Sequence, residues 1–472
     1  MACTRALPAL LALALAACSQ APVLRLPDVP LAPSYKEAAP WTTAQPADQL
    51  PRGAWWTAYG DGELDALQQR LLTGSPDLAA ALARYRQAQA VTEQLRASQW
   101  PTVNAALADQ RNRQSEMRPL RVLGPLSPNE YGSNTLGLSV DYELDLWGRV
   151  GSLVESGRAQ EQAAQAELAS AQLALQAQLA DSYIALRGLD RDAQWLRESE
   201  AAYGKALELV RQRHVGGLVS GLDLARAQAQ LEAVRSQSSQ SLAQRALLEH
   251  AIAALLGESP SSFAIAPRAT EFALPTIPAG LPSTLLQRRP DIAAAERRVA
   301  AANASVGVAR AAPFPTVTLS GVGGLQSGRF DDFIRAPNLF WTVGPTLVMS
   351  LFDAGRRQAE IARTQAVLDE NGARYRAVVL AAFQQVEDNL ALLQRLGAAA
   401  ESEAATVEAA QRALAIATTR YREGAASYLE VVTAQTTALQ AQRSASELAT
   451  RQRRASVQLI KALGGGWAAP GA

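Results

Sequence analysis

The sequence is poor in the residues that do chemistry. Of 472 residues, two are histidine and two are cysteine. Neither His214 nor His250 has Cys, His or acidic neighbours at metal-ligand spacing, so no metal site is expected. There is no Gly-x-Ser-x-Gly elbow, no Walker loop and no dinucleotide fingerprint. Asp48, Asp61 and Asp65 make no catalytic pair. The expectation is a chain with no catalytic residues, not an enzyme, and with no bound cofactor. An excess of one charge is missing too. Lys+Arg number 45 and Asp+Glu 44, which gives no support to nucleic-acid binding. Aromatics make up 6%, too few for a thick globular core. Beyond the N-terminus, no run reaches the roughly 18 apolar residues of a transmembrane helix. A membrane crossing would have to be made by strands.

What is there begins with the N-terminus. Arg5 is a positive n-region and Ala6 to Ala17 an apolar stretch too short to span a bilayer. Leu15-Ala16-Ala17-Cys18 resembles a bacterial lipobox, which makes residues 1–17 a signal peptide that takes Cys3 with it. Cys18 is then the lipidation site, and the covalent lipid is the only attached group expected. Ser19, rather than Asp, favours an outer-membrane address. Residues 18–60, rich in Pro and Ala up to about 54, read as a lipid-anchored tether.

From Asp61 the chain reads as helices and strands that occur twice. The first repeat, 61–257, has a helix to about Leu72, then Ser75-Pro76-Asp77 starting a second to about Gln99. Strands follow at 101–113 and 134–147. The latter alternates Leu136, Leu138, Val140, Tyr142, Leu144 and Leu146 against Gly137, Ser139, Asp141, Glu143 and Asp145, a period of two. A helix over 149–214 spans about 100 Å, with Leu168, Leu175, Leu179, Leu186 and Leu189 as its seam. After a tip, helix 222–256 returns to Gly257. Residues 258–289 read as an equatorial connector. The second repeat, 290–464, has strands at 315–327 and 339–352, a long helix 355–422, a tip and a return helix 428–463. Residues 465–472 are a tail. Arg289-Pro290-Asp291-Ile292 parallels Ser75-Pro76-Asp77-Leu78. Leu351-Phe352-Asp353-Ala354-Gly355-Arg356 parallels Leu144-Asp145-Leu146-Trp147-Gly148-Arg149.

The two tips align as well. Setting Gly217 on Gly424 sets Ser220 on Ser427, Leu222 on Leu429 and Asp223 on Glu430. Each reads as glycine turn, serine cap, helix start. The serines and the acids three residues on have the form of capping boxes. The second tip has Tyr428 where the first has Gly221.

Four strands cannot close a barrel around a lumen, and an open edge in lipid leaves backbone groups unpaired. Other copies must complete the ring. Three copies would give twelve strands, and two or four would also close.

The lipobox, the two halves, Arg288-Arg289-Pro290-Asp291-Ile292, Leu351 to Arg356 and both tips together resemble the TolC family of outer-membrane factors. Within it the likeness is to the NodT-type outer-membrane lipoproteins of resistance-nodulation-division efflux systems, over essentially the whole mature chain. The resemblance implies a mainly α fold with membrane β: a homotrimer with a twelve-strand outer-membrane β-barrel, four strands per chain, continued by a long periplasmic α-helical barrel. It implies a passive exit duct exporting drugs or other small molecules. The implied partners are a periplasmic adaptor (membrane-fusion) protein, an inner-membrane pump and outer-membrane lipid. A duct for protein secretion, or a lipid-anchored coiled-coil scaffold without a channel, are the alternatives.

On this reading Gly217, Val219, Ser220, Asp223, Gly424, Ala426, Ser427 and Glu430 form adaptor-docking tips, with Val219, Ala425 and Ala426 as exposed small apolar groups. Asp141, Glu143 and Asp145 become pore-lining acids, because charge facing lipid is costly. Trp100, Trp147, Phe314, Phe340 and Trp341 are expected at strand ends as an interfacial girdle. Some relatives close the tunnel with an acidic ring upstream of the second tip; here that position is Ala415, between Leu414 and Ile416, which favours a hydrophobic constriction.

Overall fold

A computed structural model describes residues 20–29, 35–36, 53–117, 129–270, 272–275, 277 and 288–465. The expected signal peptide, the lipidation site Cys18, the centre of the first interstrand loop and much of the connector lie outside the described residues. The described chain carries a 3-10 turn at Trp55–Tyr59 and then α1 (Gly62–Gly74), α2 (Pro76–Ala97), β1 (Thr102–Arg113) and β2 (Glu130–Leu144). These are followed by α3 (Arg149–Val215), α4 (Gly221–Leu256), α5 (Pro290–Ala311), β3 (Thr316–Ser327), β4 (Leu339–Val348), α6 (Arg356–Arg422) and α7 (Tyr428–Ala462).

Side-chain caps set where the helices start. Asp61 accepts from the backbone N–H groups of Glu63 and Leu64 and starts α1. Pro76 and Pro290 stand first in α2 and α5, each followed by an aspartate that suits the positive helix end. Asp145 accepts from Val150 and Gly151 to start α3, and Asp353 accepts from Gly355 and Arg357 to start α6. The Arg357 side chain, donating to Asp353, holds that carboxyl below the usual carboxylate range. The repeats differ by one position here, since Asp353 aligns with Leu146 rather than Asp145.

The chain forms two compact units. In the first, covering residues up to 27, 86–164 and 295–375, the four strands make one antiparallel sheet in the order β1-β2-β3-β4. Residues directly opposed across strands share a face. One row is Leu107, Leu136, Leu325 and Leu339. Two residues along lies Ala105, Leu138, Gly323 and Trp341, then Val103, Val140, Gly321 and Val343. The intervening rows read Asn104, Ser139, Val322, Thr342 and Thr102, Asp141, Ser320, Gly344. The alternation of one strand is therefore shared by the whole sheet: one face is apolar, the other mainly polar or glycine. Leu107, Leu138, Trp341 and Val343 are exposed on this chain, and among the described residues β1 and β4 are the edges of the sheet.

One expectation is corrected here. The strand expected at 134–147 runs Glu130–Leu144, because the Asp145 carboxylate is occupied as a helix cap and ends the extended stretch. Phe340 and Trp341 are the second and third residues of β4, opposite Gly324 and Gly323, at the start of that strand as expected. Trp147 stacks on Phe314 with ring centroids 4.8 Å apart and donates to the Pro315 carbonyl at 2.7 Å, while Phe314 stays exposed.

The helices of this unit approach through small residues. Thr92 donates to the Gly157 carbonyl at 3.1 Å, and Ser156 to that of Ala301 at 3.1 Å. The N-terminal segment, expected as an extended tether, is seated on helices over its described part. Asn303 donates to the Pro22 carbonyl at 2.7 Å. A Cβ on Gly307 would come within 2.8 Å of Ala21, and one on Gly372 within 3.2 Å of Pro27. Two glycines inside helices, each costing about 1 kcal/mol relative to alanine, thus have a packing reason.

The second unit, within 28–85, 165–294 and 376–472, holds the large side chains. Trp55, Trp56, Tyr59, Leu64, Tyr183, Leu186, Ile252, Leu390 and Ile460 are buried in one core with Phe263, Phe272 and Ile277 of the connector. A charged network runs through it. The fully buried Arg187 donates to Asp190 at 2.7 Å and Glu63 at 2.5 Å. Arg245 donates to the other Asp190 oxygen at 2.6 Å and to the Ile265 carbonyl at 2.5 Å. Arg268 reaches Asp61 at 2.8 Å. Breaking one partner of such a buried set costs several kcal/mol, roughly 3–5. Gly257 closes α4 at φ 75° with its Cβ position 2.3 Å from the Gly74 carbonyl, so both conformation and space require glycine.

Candidate functional site

The two tips, both in the second unit, are built alike down to their hydrogen bonds. At the first, Leu218 N–H reaches the Arg213 carbonyl at 2.8 Å and Gly217 N–H that of His214 at 2.9 Å. At the second, Ala425 N–H reaches Arg420 at 2.8 Å and Gly424 N–H reaches Tyr421 at 3.1 Å. This is the Schellman closure, which needs a left-handed residue after the helix; Gly217 and Gly424 supply it at φ 71° and 78°. Ser220 and Ser427 then cap the returning helices, and Asp223 and Glu430 return the bond to the serine N–H, a capping box in each case. His214 contacts the Val219 carbonyl through Nδ1 at 3.0 Å.

Beneath the turns one apolar cluster joins both tips. Val210, Ala227, Tyr421, Tyr428 and Val431 are buried together. The Tyr421 and Tyr428 rings are 5.6 Å apart. Arg213 from the first tip lies over the Tyr421 ring at 4.5 Å and donates to the Tyr421 and Arg422 carbonyls at 3.2 and 3.4 Å. It thereby neutralises the negative end of α6 and adds a cation–π contact. Burial, with Tyr421 beside it, pushes the Tyr428 hydroxyl up to about 12.

The exposed surface differs from the expected one. Val219 and Ala426 turn in against this cluster and only Ala425 of the three small groups is exposed. The apolar residues presented outward are Val215, Leu218 and Leu222 at the first tip and Leu429 at the second. Helical phase explains the difference. Leu222 and Leu429 occupy the same position, one residue before the Asp223 or Glu430 cap, on the side facing away from the cluster. Upstream of the second tip, Leu414 packs inward with Ala410 and Ala438, while Ile416 is exposed.

The three acids expected in the pore are not equivalent. Asp141 accepts from the Ser320 hydroxyl at 2.7 Å on the polar face of the sheet. Glu143 receives both arms of Arg149, Nε at 2.8 Å and Nη2 at 2.5 Å. Asp145 lies beyond β2, capping α3. The sequence, read by alternation, grouped them; the structure gives them three different partners. Arg149 was the available signal, since a cation at the start of a helix needs a local acid to offset it.

Comparison with known proteins follows this geometry. The family model of outer membrane efflux proteins matches residues 67–258 and 281–465. The chain is 36% identical over 417 residues to the pyoverdine export outer membrane protein OpmQ of Pseudomonas aeruginosa, covering 88% of this chain and 87% of that protein. It is 32% identical over 461 residues to the outer membrane protein OprJ of the same species, covering 97% and 95%. The solved outer-membrane channel OprN shares 30% identity, with a TM-score of 0.86 over 95% of this chain and 100% of that one.

Proposed function

The chain belongs to the outer membrane efflux protein family, and on that premise we propose that it works as a homotrimeric, lipid-anchored passive duct of a tripartite exporter. Its relatives are outer-membrane components of efflux pumps, and the chain is an outer-membrane exit channel of that kind. One observation carries the mechanism: the apolar face extends across all four strands while both edge strands remain open. Lipid accepts the apolar face, where a charge at the midplane would cost about 2–4 kcal/mol. The edges then need neighbours, β4 of one copy beside β1 of the next, and three copies give twelve strands. Asp141, on the polar face, lines the lumen in this arrangement.

The tips are the docking end for a periplasmic adaptor, which in turn meets an inner-membrane pump. Acylation at Cys18 supplies the membrane anchor. The cargo is a small molecule selected upstream.

Two measurements test this. The purified protein should run as a trimer and conduct in planar bilayers; a non-conducting preparation of intact trimers overturns the duct. Gly217→Arg or Leu218→Ser should leave conductance unchanged and abolish cross-linking to the adaptor encoded with the pump. Undiminished cross-linking in both variants refutes the docking role of the tips.

A further inference from the structure

The sheet of the first unit carries one large aromatic side chain in the middle of its polar face. Ala106, Gly137, Gly324 and Phe340 are opposed across the four strands. Their row lies between the apolar rows of Leu107 and Ala105, so it belongs to the other face. A Cβ built on Gly137 would meet Phe340 Cζ at 4.0 Å. The ring therefore reaches from β4 across β3 and ends over β2. Gly324 lies on its path; a Cβ there would collide with the Leu136 carbonyl oxygen, so no side chain stands in the way. This glycine floor covers one side of the ring. Phe340 is accordingly partly buried, where its neighbours Leu339 and Trp341 are exposed.

The next two rows of this face are Asn104, Ser139, Val322, Thr342 and Thr102, Asp141, Ser320, Gly344. They hold no other aromatic. Asp141 stands four residues along β2 from Gly137, about 14 Å at the usual rise of a strand. It accepts from the uncharged Ser320 hydroxyl at 2.7 Å, a bond that leaves its negative charge in place. An aromatic face and a carboxylate at this spacing complement a molecule with a flat apolar body and a cationic end.

Resting on the duct reading above, in which the polar face lines the lumen, we propose that Phe340 is a cargo-contacting residue and that, with Asp141, it favours the passage of organic cations carrying an aromatic ring. The cargo ring stacks on the side of Phe340 that the glycine floor leaves open, and its cationic end is drawn to Asp141. Trp341, one residue on, belongs to the apolar face. The two adjacent aromatics of β4 thus serve opposite sides of the wall, Trp341 the lipid and Phe340 the cargo.

The test uses full-length trimers in planar bilayers. A charged, membrane-impermeant methanethiosulfonate reagent should lower the single-channel current of Phe340→Cys but not of Trp341→Cys, each relative to the unsubstituted protein treated alike. In the wild type, tryptamine should block at a concentration about threefold to tenfold below that of hexylammonium. Phe340→Ala should remove that difference and Phe340→Tyr should keep it. Asp141→Asn should weaken block by both amines about twofold to fivefold. Wild-type trimers that do not conduct overturn the duct and this proposal together. Conducting wild-type trimers that the two amines block equally overturn this proposal alone, whether or not the variants fold. So does a Phe340→Cys current untouched by the reagent, or a Phe340→Ala channel that keeps the wild-type difference.

Discussion

The two tips have one backbone and two surfaces. Their turns and capping boxes coincide bond for bond, yet they divide the side-chain work unequally. The second tip supplies Tyr421 and Tyr428 to the cluster beneath both turns. The first supplies Arg213 to lock that cluster and presents Val215, Leu218 and Leu222 outward. After a duplication, positions fixed by backbone conformation have little room to change. Positions fixed only by contacts can diverge, provided one copy keeps the shared core filled. Tyr428 standing where Gly221 stands is the clearest case: one residue fills the core under both turns, and its counterpart need not.

The largest effect is expected at that aligned position. Tyr428→Ala should open a cavity under both tips and cost about 3–5 kcal/mol of local stability, read as lost amide-exchange protection in both tips. Gly221→Ala, whose added Cβ meets only His214 at 3.8 Å, should be neutral or stabilising by up to about 1 kcal/mol. Equal losses at the two sites would remove the asymmetry.

Next come the caps, where the tips should behave alike. Ser220→Ala and Ser427→Ala should each cost about 1 kcal/mol, measured by exchange at Asp223 and Glu430. A difference between them larger than about 0.5 kcal/mol would mean that the surroundings, and not the box, decide.

The last effect is absent at neutral pH and confined to alkaline pH. An ordinary tyrosine titrates near 10, and Tyr428, buried, is raised to about 12. The opened tip therefore ionises first. The stability owed to this group is complete below about pH 10 and falls as pH rises toward about 12. Tyrosinate absorbance of wild type against Tyr428→Phe checks this, and a Tyr428 titration at the ordinary value would show that the second tip is not closed in solution.

How much of this could be read from the chain depends on whether a feature is local. The period-two run from Leu136 to Leu144, the Pro-Asp helix starts and the Gly-Ser tips are set by neighbouring residues and stand out in the sequence. Strand ends were harder. Leu146 continues the alternation, but the Asp145 carboxylate serves the helix, and helix capping outweighs pattern. Glu130 and Tyr131 belong to β2 through pairing with Arg113 and Asn112, which composition does not announce. The Arg187 network joins residues from Asp61 to Arg268, and no spacing rule connects them. Gly307 and Gly372 look like weak points in helices until Ala21 and Pro27 are seen against them. At the tips, small residues suggested an exposed surface, whereas helical phase turns Val219 and Ala426 inward and leaves Leu218 outside.

The open edges of the four-stranded sheet have a genetic consequence. If a ring closes only when every chain offers a sound β1 and a sound β4, a chain with one damaged edge is not merely inactive. It can join through its intact edge and spoil the ring it enters. In a three-chain ring made from equal amounts of normal and damaged chain, only about one ring in eight is free of the variant. Edge mutations should therefore behave as dominant, whereas mutations confined to the tips should be diluted by normal partners.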